Sequence, residues 1–248
     1  MDIKTKKITD SIEKLFSVGA HYGLVRSRRH PSAKPFIFGV KNSIEIFDLE
    51  KTEVELEKAK SFISDVVANG GMVLFVGGKN EAQEAIRKVA TTSGMPFVAG
   101  RWLGGTLTNF VEIKKRIGRL EDLSSQKEKG ELSKYTKKER LLIDREIESL
   151  KVSFSGLSPM KTLPKVLFVI DPKREETAVA EAKKLKIPVV ALASSDCNML
   201  EVEYPIPGND SSKASIAYFA EEILKAVEDG KIKMMKKKEE SATKEETK

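Results

Sequence analysis

The sequence predicts an α/β fold in which a parallel sheet is covered by helices on both faces. The prediction rests on short, uniformly apolar runs that alternate with segments of helical periodicity. The predicted strands span residues 72–76, 96–99, 166–170 and 189–192, and the predicted helices span 49–69, 80–92, 175–186 and 212–227. With 248 residues and 40% hydrophobic content, the chain is long enough to bury such a core.

Ahead of this sheet, the sequence predicts one short helix and a β-hairpin. Apolar residues recur at helical spacing from Ile8 to Phe16, and Gly19 marks the end of that helix. Two apolar runs at residues 36–40 and 43–47 flank a short polar turn, which is typical of a hairpin. Asp48 is well placed to cap the long helix at 49–69, and the two glycines at 70–71 end it.

A helical hairpin is predicted to interrupt the α/β pattern between the two halves of the sheet. Apolar residues recur every three or four positions from Phe110 to Leu123, and again from Ile143 to Leu157. Such narrow seams are typical of antiparallel coiled-coil helices. The other positions carry charges of both signs, which fits either a protrusion that reaches a partner or a solvent-exposed structural hairpin.

These patterns divide the chain into three parts. Residues 1–105 and 158–230 are predicted to form a discontinuous α/β domain that includes the N-terminal helix and a basic loop. Residues 106–157 form the inserted coiled-coil hairpin. Residues 231–248 are rich in Lys and Glu and carry little apolar surface, which predicts a disordered basic tail.

The charge of the chain is concentrated near its N-terminus. Residues 1–41 hold nine Lys and Arg against three acidic residues, which accounts for six of the net seven positive charges. No Asp or Glu occurs between Lys14 and Ile44. Such a segment indicates a polyanion partner, because the release of counterions from phosphates drives binding, although a solvated basic surface is an equally good interpretation. The single cysteine excludes an internal disulfide and, with no apolar run of membrane-spanning length and no signal pattern, predicts a cytoplasmic location.

The segment 73–86 has the outline of a nucleotide-phosphate loop but lacks its residues. A Walker-type loop needs a glycine, four residues and then Gly-Lys-Ser/Thr. Here Val73 stands in place of the first glycine, and Asn80 follows Lys79 in place of the hydroxyl residue. The spaced glycines of a dinucleotide site are absent as well. Lys79 is therefore predicted to face solvent or RNA.

Aspartates that follow predicted strands leave an enzyme as the competing class. Asp171 and Asp196 lie at the sheet edge where open α/β proteins bind ligands, although Asp there is also a common turn former. His21 is a candidate to join Asp196 and Asp210 around a cation if the fold brings them together. The competing hypothesis is a nucleotide- or metal-dependent enzyme that uses Gly77, Gly78, Lys79, Asp171 and Asp196. Since no phosphate motif is complete and Cys197 has no base near it in sequence, no catalytic residue is predicted.

Eight segments, in order along the chain, resemble one protein family. They are residues 19–23, 30–39, 48–52, 74–79, 100–110, 132–139, 163–171 and 204–210. The most specific are the run Arg-Trp-Leu-Gly-Gly at 101–105 and the run Pro-Ile-Pro-Gly-Asn-Asp at 205–210. Over residues 8–230 the chain is similar to the bacterial small-subunit ribosomal protein numbered two.

The resemblance implies a flavodoxin-like sandwich with an inserted coiled-coil hairpin and a role without catalysis. It implies a ribosomal component that contacts small-subunit RNA and neighbouring proteins, including the ribosomal protein numbered one. The residues predicted to contact RNA are Arg26, Arg28, Arg29, His30, Lys34, Lys41, Arg101, Lys114, Lys115 and Arg119. Trp102 is predicted to pack at the base of the hairpin, with stacking on RNA as the alternative.

Two departures from the family pattern bear on metal binding. Leu24 stands where the family often has a second histidine, and Cys197 interrupts a block that is usually Asp-Thr-Asn. The metal site that some family members look able to form is therefore not expected here, and no cofactor is predicted.

Overall fold

The computed structural model describes residues 3–245, with side chains described for residues 10–132 and 134–237. The strands are β1 (Tyr22–Val25), β2 (Ile37–Lys41), β3 (Ile44–Phe47), β4 (Val73–Val76), β5 (Phe97–Val98), β6 (Val166–Ile170), β7 (Val189–Ala193) and β8 (Tyr204–Pro207). The α-helices are α1 (Ile3–Ser17), α2 (Leu49–Ala68), α3 (Asn80–Ser93), α4 (Phe110–Glu128), α5 (Lys137–Phe154), α6 (Glu176–Lys184) and α7 (Lys213–Glu245).

The main sheet has five parallel strands in the order β5-β4-β6-β7-β8. Counted along the chain, this is the 2-1-3-4-5 order of flavodoxin-like folds. The predicted α/β fold with a parallel sheet is therefore confirmed. The strands β4, β6 and β7 are buried along their whole length, which explains why the sequence shows them as continuous apolar runs.

Alternate residues of these strands contribute to two separate cores. Phe75 and Phe168 point to one face, where they pack with α2, α3 and α7. Leu74 and Leu167 point to the opposite face, where they pack with α6 and the base of the α4–α5 hairpin. The hairpin therefore joins the second core at its base, and its apolar seam continues outward from there.

The α4–α5 hairpin is held by an apolar seam and by charges that cross it. Ile117 and Ile147 are buried between the helices, and Lys127 Nζ lies 2.6 Å from Asp144 Oδ1. Thr136 caps α5 through a reciprocal pair of hydrogen bonds with Glu139, which fixes the turn between the two helices.

A second, antiparallel sheet lies before the main one, in the order β1-β3-β2. The predicted hairpin forms its β2–β3 pair, with a turn at Asn42 and Ser43, which both have a positive φ. Strand β1, which has four residues, was not predicted. Strand β8 was not predicted either, because Pro205 and Pro207 are unusual in strands; within the described residues, β8 is at the edge of its sheet, where it pairs with β7.

The C-terminal segment differs from its prediction. Disorder was expected from residue 231, whereas α7 continues to Glu245; residues 246–248 lie outside the described part. The reason is that the part of α7 after residue 230 still contacts neighbouring helices. Lys231 Nζ donates to the carbonyl of Ser93, and Lys237 Nζ donates to Asn69 Oδ1. These lysines contact other helices instead of forming a free polar chain.

Within residues 3–245, none of the helices is long and apolar enough to cross a membrane.

Candidate nucleic-acid interface

The carboxyl edge of the parallel sheet brings together charges that lie far apart in sequence. Lys79 follows β4, Asp171 follows β6 and Asp210 follows β8. The Nζ atom of Lys79 lies 2.8 Å from Oδ2 of Asp171 and 2.8 Å from Oδ2 of Asp210. The prediction that Lys79 faces solvent or RNA is therefore wrong, because its side chain is only 16% exposed and is shared by two carboxylates.

Burial and pairing act in opposite directions on these charges. Burial lowers the pKa of Lys79, but attraction by Asp210 and the hydrogen bonds to both aspartates outweigh it, so the pKa is raised overall. Burial raises the pKa of Asp210, and the ammonium of Lys79 offsets part of that rise. Lys79 therefore stays charged, and its single positive charge is shared by the two acids within the protein.

The N-terminus of α3 is also occupied by a side chain of the protein itself. The amide of Gly78 donates to Oε1 of Glu175 at 3.2 Å, so a carboxylate of the protein lies where a nucleotide phosphate would bind. A side chain at Gly78 would collide with that carboxylate and with the carbonyl of Gly100, which is why a glycine is needed there. Burial raises the pKa of Glu175, and the Gly78 hydrogen bond offsets part of the rise.

The cation ligands considered from sequence are not brought together as a set. The ring of His21 stacks on Phe16 with centroids 4.5 Å apart and lies tilted against Tyr22 with centroids 4.1 Å apart, and burial lowers its pKa. Asp196 pairs with Lys173 at 2.9 Å. Among the described residues, neither the hydrogen bonds nor the ion pairs join His21 to Asp196 or Asp210.

A different set, Asp171, Cys197 and Asp210, has ligand-type atoms within 4.8 Å of one another. The ammonium of Lys79 already lies against both aspartates, and burial raises the pKa of the Cys197 thiol, which disfavours the thiolate. Asp171 also forms a turn, as its residue type suggested: its φ is +62° and its Oδ1 accepts from the amide of Arg174. Asp171 and Asp210 therefore form a structural cluster with Lys79, and Cys197 lies next to it, with Sγ 3.8 Å from Oδ1 of Asp171.

A buried carboxylate that was not predicted as a functional residue holds the loop before the hairpin. Glu181 on α6 accepts hydrogen bonds from Trp102 Nε1 and from the amides of Gly105, Leu107 and Thr108. Burial raises its pKa, but these hydrogen bonds outweigh burial and lower the pKa overall. Trp102 is buried and packs in the second core, as the preferred interpretation had it.

In contrast to the paired charges at the carboxyl edge of the parallel sheet, several predicted RNA-contacting residues are exposed. Six of them have no ion pair among the side chains that the structure describes: Arg26, Arg28, Lys34, Lys41, Arg101 and Lys114. Four of the six lie in the basic segment, defined here as residues 26–41, which forms two short 3-10 turns followed by β2. This basic segment presents uncompensated positive charge to solvent.

The other four predicted RNA-contacting residues have partners within the chain. Arg29 Nη1 lies 3.1 Å from Oε1 of Glu45, a carboxylate with no exposed surface. His30 Nδ1 lies 2.7 Å from Ser32 Oγ and caps the following 3-10 turn. On the hairpin, Lys115 pairs with Glu112 and Arg119 pairs with Glu146; the first three of these side chains are largely exposed, and Glu146 is 37% exposed.

Fold and charge distribution together define a flavodoxin-like α/β protein in which the lysine at the sheet edge is paired within the protein, whereas the cations of the basic segment are exposed. The Ribosomal protein S2 family model matches residues 15–230. The chain belongs to the ribosomal protein S2 family, as the resemblance of its eight segments suggested.

Curated relatives named "Small ribosomal subunit protein uS2" agree with this assignment. A relative from Maridesulfovibrio salexigens is 42% identical over 238 residues, covering 96% of this chain and 91% of the relative. One from Solidesulfovibrio magneticus is 43% identical over 220 residues, covering 89% and 85% of the two chains. One from Dehalococcoides mccartyi is 44% identical over 219 residues, covering 88% and 89%.

Proposed function

We propose that this protein is a structural constituent of the small ribosomal subunit, supports translation, and acts by binding rather than by catalysis. Its location is the ribosome in the cytoplasm, and its main partner is small-subunit ribosomal RNA. Membership of the ribosomal protein S2 family and the names of the relatives support this role.

The single observation that carries the RNA-binding proposal is the difference between paired and unpaired cations. Arg26, Arg28, Lys34 and Lys41 project from the basic segment without ion pairs among the described side chains. A cation that is not compensated internally gains most from a phosphate, because binding releases the counterions of the nucleic acid. Arg101 and Lys114 extend the same property to the base of the hairpin.

Arg29, His30, Lys115 and Arg119 take a smaller part in this proposal. Arg29 compensates Glu45, and His30 shapes the loop, so both position the basic segment. The exposed pairs of Lys115 and Arg119 are weak enough to exchange their carboxylate for a phosphate or for a protein neighbour. The hairpin is accordingly the proposed contact for neighbouring ribosomal proteins, and the protein numbered one is proposed among the partners.

The competing enzyme hypothesis loses its main support from the geometry of the sheet edge. A nucleotide phosphate at the α3 N-terminus would have to displace Glu175 from the Gly78 amide. Its charge would also have to compete with two aspartates for Lys79. A thermal-shift screen with nucleotides and divalent metals tests this alternative; unchanged melting temperatures are expected, and a reproducible increase with any nucleotide would revive the enzyme hypothesis.

Binding to small subunits is tested by sedimentation with increasing salt. The double variant Arg26→Ala/Arg28→Ala is expected to bind subunits more weakly and to reduce the slope of log affinity against log salt by roughly two units, about one per phosphate contact. The matched control is Lys88→Ala/Lys58→Ala, which removes two exposed lysines that pair with Glu221 and Glu55. Identical salt dependence for the wild type and the Arg26/Arg28 variant would show that the basic segment is merely solvated.

A further inference from the structure

The amino edge of the parallel sheet, where the chain enters β4, β6 and β7, is lined by lysines. Lys165 directly precedes β6, and its amide donates to the carbonyl of Met72, the residue before β4. Lys186 lies three residues before β7, and β7 is the neighbour of β6 in the sheet. Because neighbouring strands lie about 4.8 Å apart, the two lysines are adjacent at this edge.

Further lysines extend this row on both sides. The Nζ atom of Lys237 donates to Oδ1 of Asn69 at the end of α2, and a Cβ added at Gly71 would lie 3.2 Å from Cβ of Lys165, so the two lysines flank the same turn. The lysines of this edge are exposed and have no ion pair among the described side chains, and they are Lys161, Lys165, Lys184, Lys186 and Lys237. These five residues are called the amino-edge surface below.

The acids beside the amino-edge surface do not balance it. Asp65 and Glu201 are already paired with other lysines, Lys233 and Lys183. Glu203 accepts a hydrogen bond of 2.8 Å from the backbone amide at the start of β7. Of these three acids, Glu203 alone has no lysine partner among the described side chains, which leaves one acid beside five cations.

Lys186 occupies a backbone position that normally takes glycine. Its φ is +56°, in the left-handed region, and it lies just after the end of α6. The amide of Lys186 donates to the carbonyl of Lys183, and the amide of Ile187 donates to the carbonyl of Ala182, a pattern typical of helix ends that close on a glycine. A lysine here is strained relative to glycine, and residues held in strained conformations cluster at functional sites. The strain therefore supports a role for the charge of Lys186.

The dipole of α6 does not explain this set of lysines. Cations in the last turn of a helix stabilise its carboxyl end, and Lys184 and Lys186 are placed to do so. Lys161, Lys165 and Lys237 belong to other elements, namely the loop before β6 and helix α7. Their common feature is the edge of the sheet that they share.

The residue types at this edge favour RNA over a protein partner. Residues 69–72, 161–165 and 184–188 include no aromatic residue and no Arg. Protein–protein interfaces are enriched in aromatic residues and Arg and depleted of Lys. A lysine ammonium binds a phosphate as a point charge, without the planar geometry that Arg brings to bidentate recognition. A row of lysines therefore matches the phosphates of a nucleic acid backbone.

We propose that the amino-edge surface is a second RNA-binding surface, which takes the phosphate backbone of a different RNA segment from the one that the basic segment binds. The basic segment joins the opposite edge of the sheet, where the amide of His30 donates to the carbonyl of Ser195 after β7. The length of β6, from Lys165 to Asp171, separates the two edges by roughly 20 Å at about 3.3 Å per residue. The proposal rests on the RNA-binding function proposed above and adds a separate surface to it. Since backbone contacts carry no base information, binding at this surface is independent of RNA sequence.

The test compares variants that remove two positive charges from different surfaces. Lys165→Ala/Lys186→Gly removes two cations of the amino-edge surface, and the control Lys58→Ala/Lys88→Ala removes two exposed lysines that have acidic partners elsewhere. The full chain of each variant is titrated with a fluorescently labelled RNA duplex at a series of salt concentrations, and its binding to small subunits is measured by sedimentation. The amino-edge variant is expected to bind both more weakly and to reduce the slope of log affinity against log salt by roughly two units. The control variant should match the wild type.

Two further measurements separate charge from folding. Lys165→Arg/Lys186→Arg keeps both charges and should bind the RNA duplex and small subunits as the wild type does, because phosphate contacts depend on the charge. Lys165→Ala/Lys186→Gly should not have a lower melting temperature than the wild type, since Lys165 is exposed and glycine adopts the left-handed conformation without strain.

Equal weakening by Lys58→Ala/Lys88→Ala would overturn the inference, because net charge and not this surface would then decide binding. Weaker binding to subunits with unchanged affinity for the RNA duplex would overturn it in favour of an acidic protein neighbour. Unchanged binding to subunits would show that the surface does not contact RNA in the assembled particle. A lower melting temperature with unchanged RNA affinity would assign the lysines a structural role alone. In each of these cases, weaker subunit binding by Arg26→Ala/Arg28→Ala would leave the ribosomal function standing.

Discussion

The carboxyl edge of the parallel sheet and the basic segment carry similar charged side chains in opposite circumstances. At the sheet edge, Lys79 is shielded from solvent and lies 2.8 Å from each of two aspartates. In the basic segment, Arg26 and Arg28 are exposed and have no ion pair among the described side chains. The first arrangement uses the ammonium of Lys79 within the protein, whereas the second leaves its cations without an internal counter-charge among the described side chains.

This difference separates the structural use of charge from its use in binding. A buried ion pair contributes little net stability against an apolar replacement, but removing one of its partners is costly because the other charge is left without compensation. An exposed cation costs almost nothing to remove. Loss of stability and loss of binding should therefore appear in different variants, and three substitutions test this separation.

Lys79→Met is expected to have the largest effect on stability. It leaves Asp171 and Asp210 buried without their cation, which should lower the free energy of unfolding by about 3–5 kcal/mol. Urea denaturation monitored by circular dichroism measures this change. Lys88→Met, in an exposed pair with Glu221, is the control and should match the wild type. If both variants unfolded at the same urea concentration as the wild type, the pairing of Lys79 with Asp171 and Asp210 would not contribute to stability.

Glu181→Gln is expected to lower the free energy of unfolding by about 2–3 kcal/mol at neutral pH, because an amide offers one acceptor atom to donors that now share two oxygens. The effect should depend on pH. The folded-state pKa of Glu181 lies below its unfolded value near 4.5, so its carboxylate contributes stability above that value.

This contribution of Glu181 is lost as pH falls through the lowered folded-state pKa. The unfolding curves of the wild type and Glu181→Gln should therefore converge in acid. Denaturation at a series of pH values between neutrality and the acid range measures the gap. A gap of constant size would mean that the carboxylate charge is not what holds the loop at residues 102–108.

Arg29→Ala should have the smallest effect on stability of the three substitutions. It also distinguishes a paired arginine of the basic segment from an unpaired one. Its loss leaves Glu45 buried without a cation, but Arg29 is itself a quarter exposed, so the expected cost is about 1–2 kcal/mol. The neighbouring Arg28→Ala is the matched comparison: it should unfold like the wild type while binding small subunits more weakly. A stability loss in Arg28→Ala equal to that in Arg29→Ala would contradict the distinction between the two residues.

The fold was predictable from sequence wherever one side-chain pattern decided it. Strands β4, β6 and β7 lie in the middle of a sheet with both faces covered, so their uninterrupted apolar runs have no other stable placement. The edge strand β8 was missed because an edge position tolerates prolines that a central strand would exclude. The C-terminal part of α7 was missed because the contacts of Lys231 and Lys237 with other helices do not appear in local composition.

The candidate site was predictable in residue type but not in pairing. The absence of acids between Lys14 and Ile44 indicated where positive charge accumulates, and the structure leaves four cations of the basic segment exposed. The sequence could not show that Arg29 forms an ion pair with the buried Glu45. It also placed Lys79 in solvent, because its partners are 92 and 131 positions away along the chain.

By itself, the sequence determined the alternation of strands and helices, the inserted hairpin and the location of excess positive charge, since each depends on residues close together in the chain. Only the tertiary structure decided which charged side chains are paired within the protein. Parallel strands bring their carboxyl ends to one edge, and there Lys79 pairs with Asp171 and Asp210 in a largely buried cluster. Whether a charged residue is available to a partner depends on its burial and on its neighbours in space, and neither is written in the local sequence.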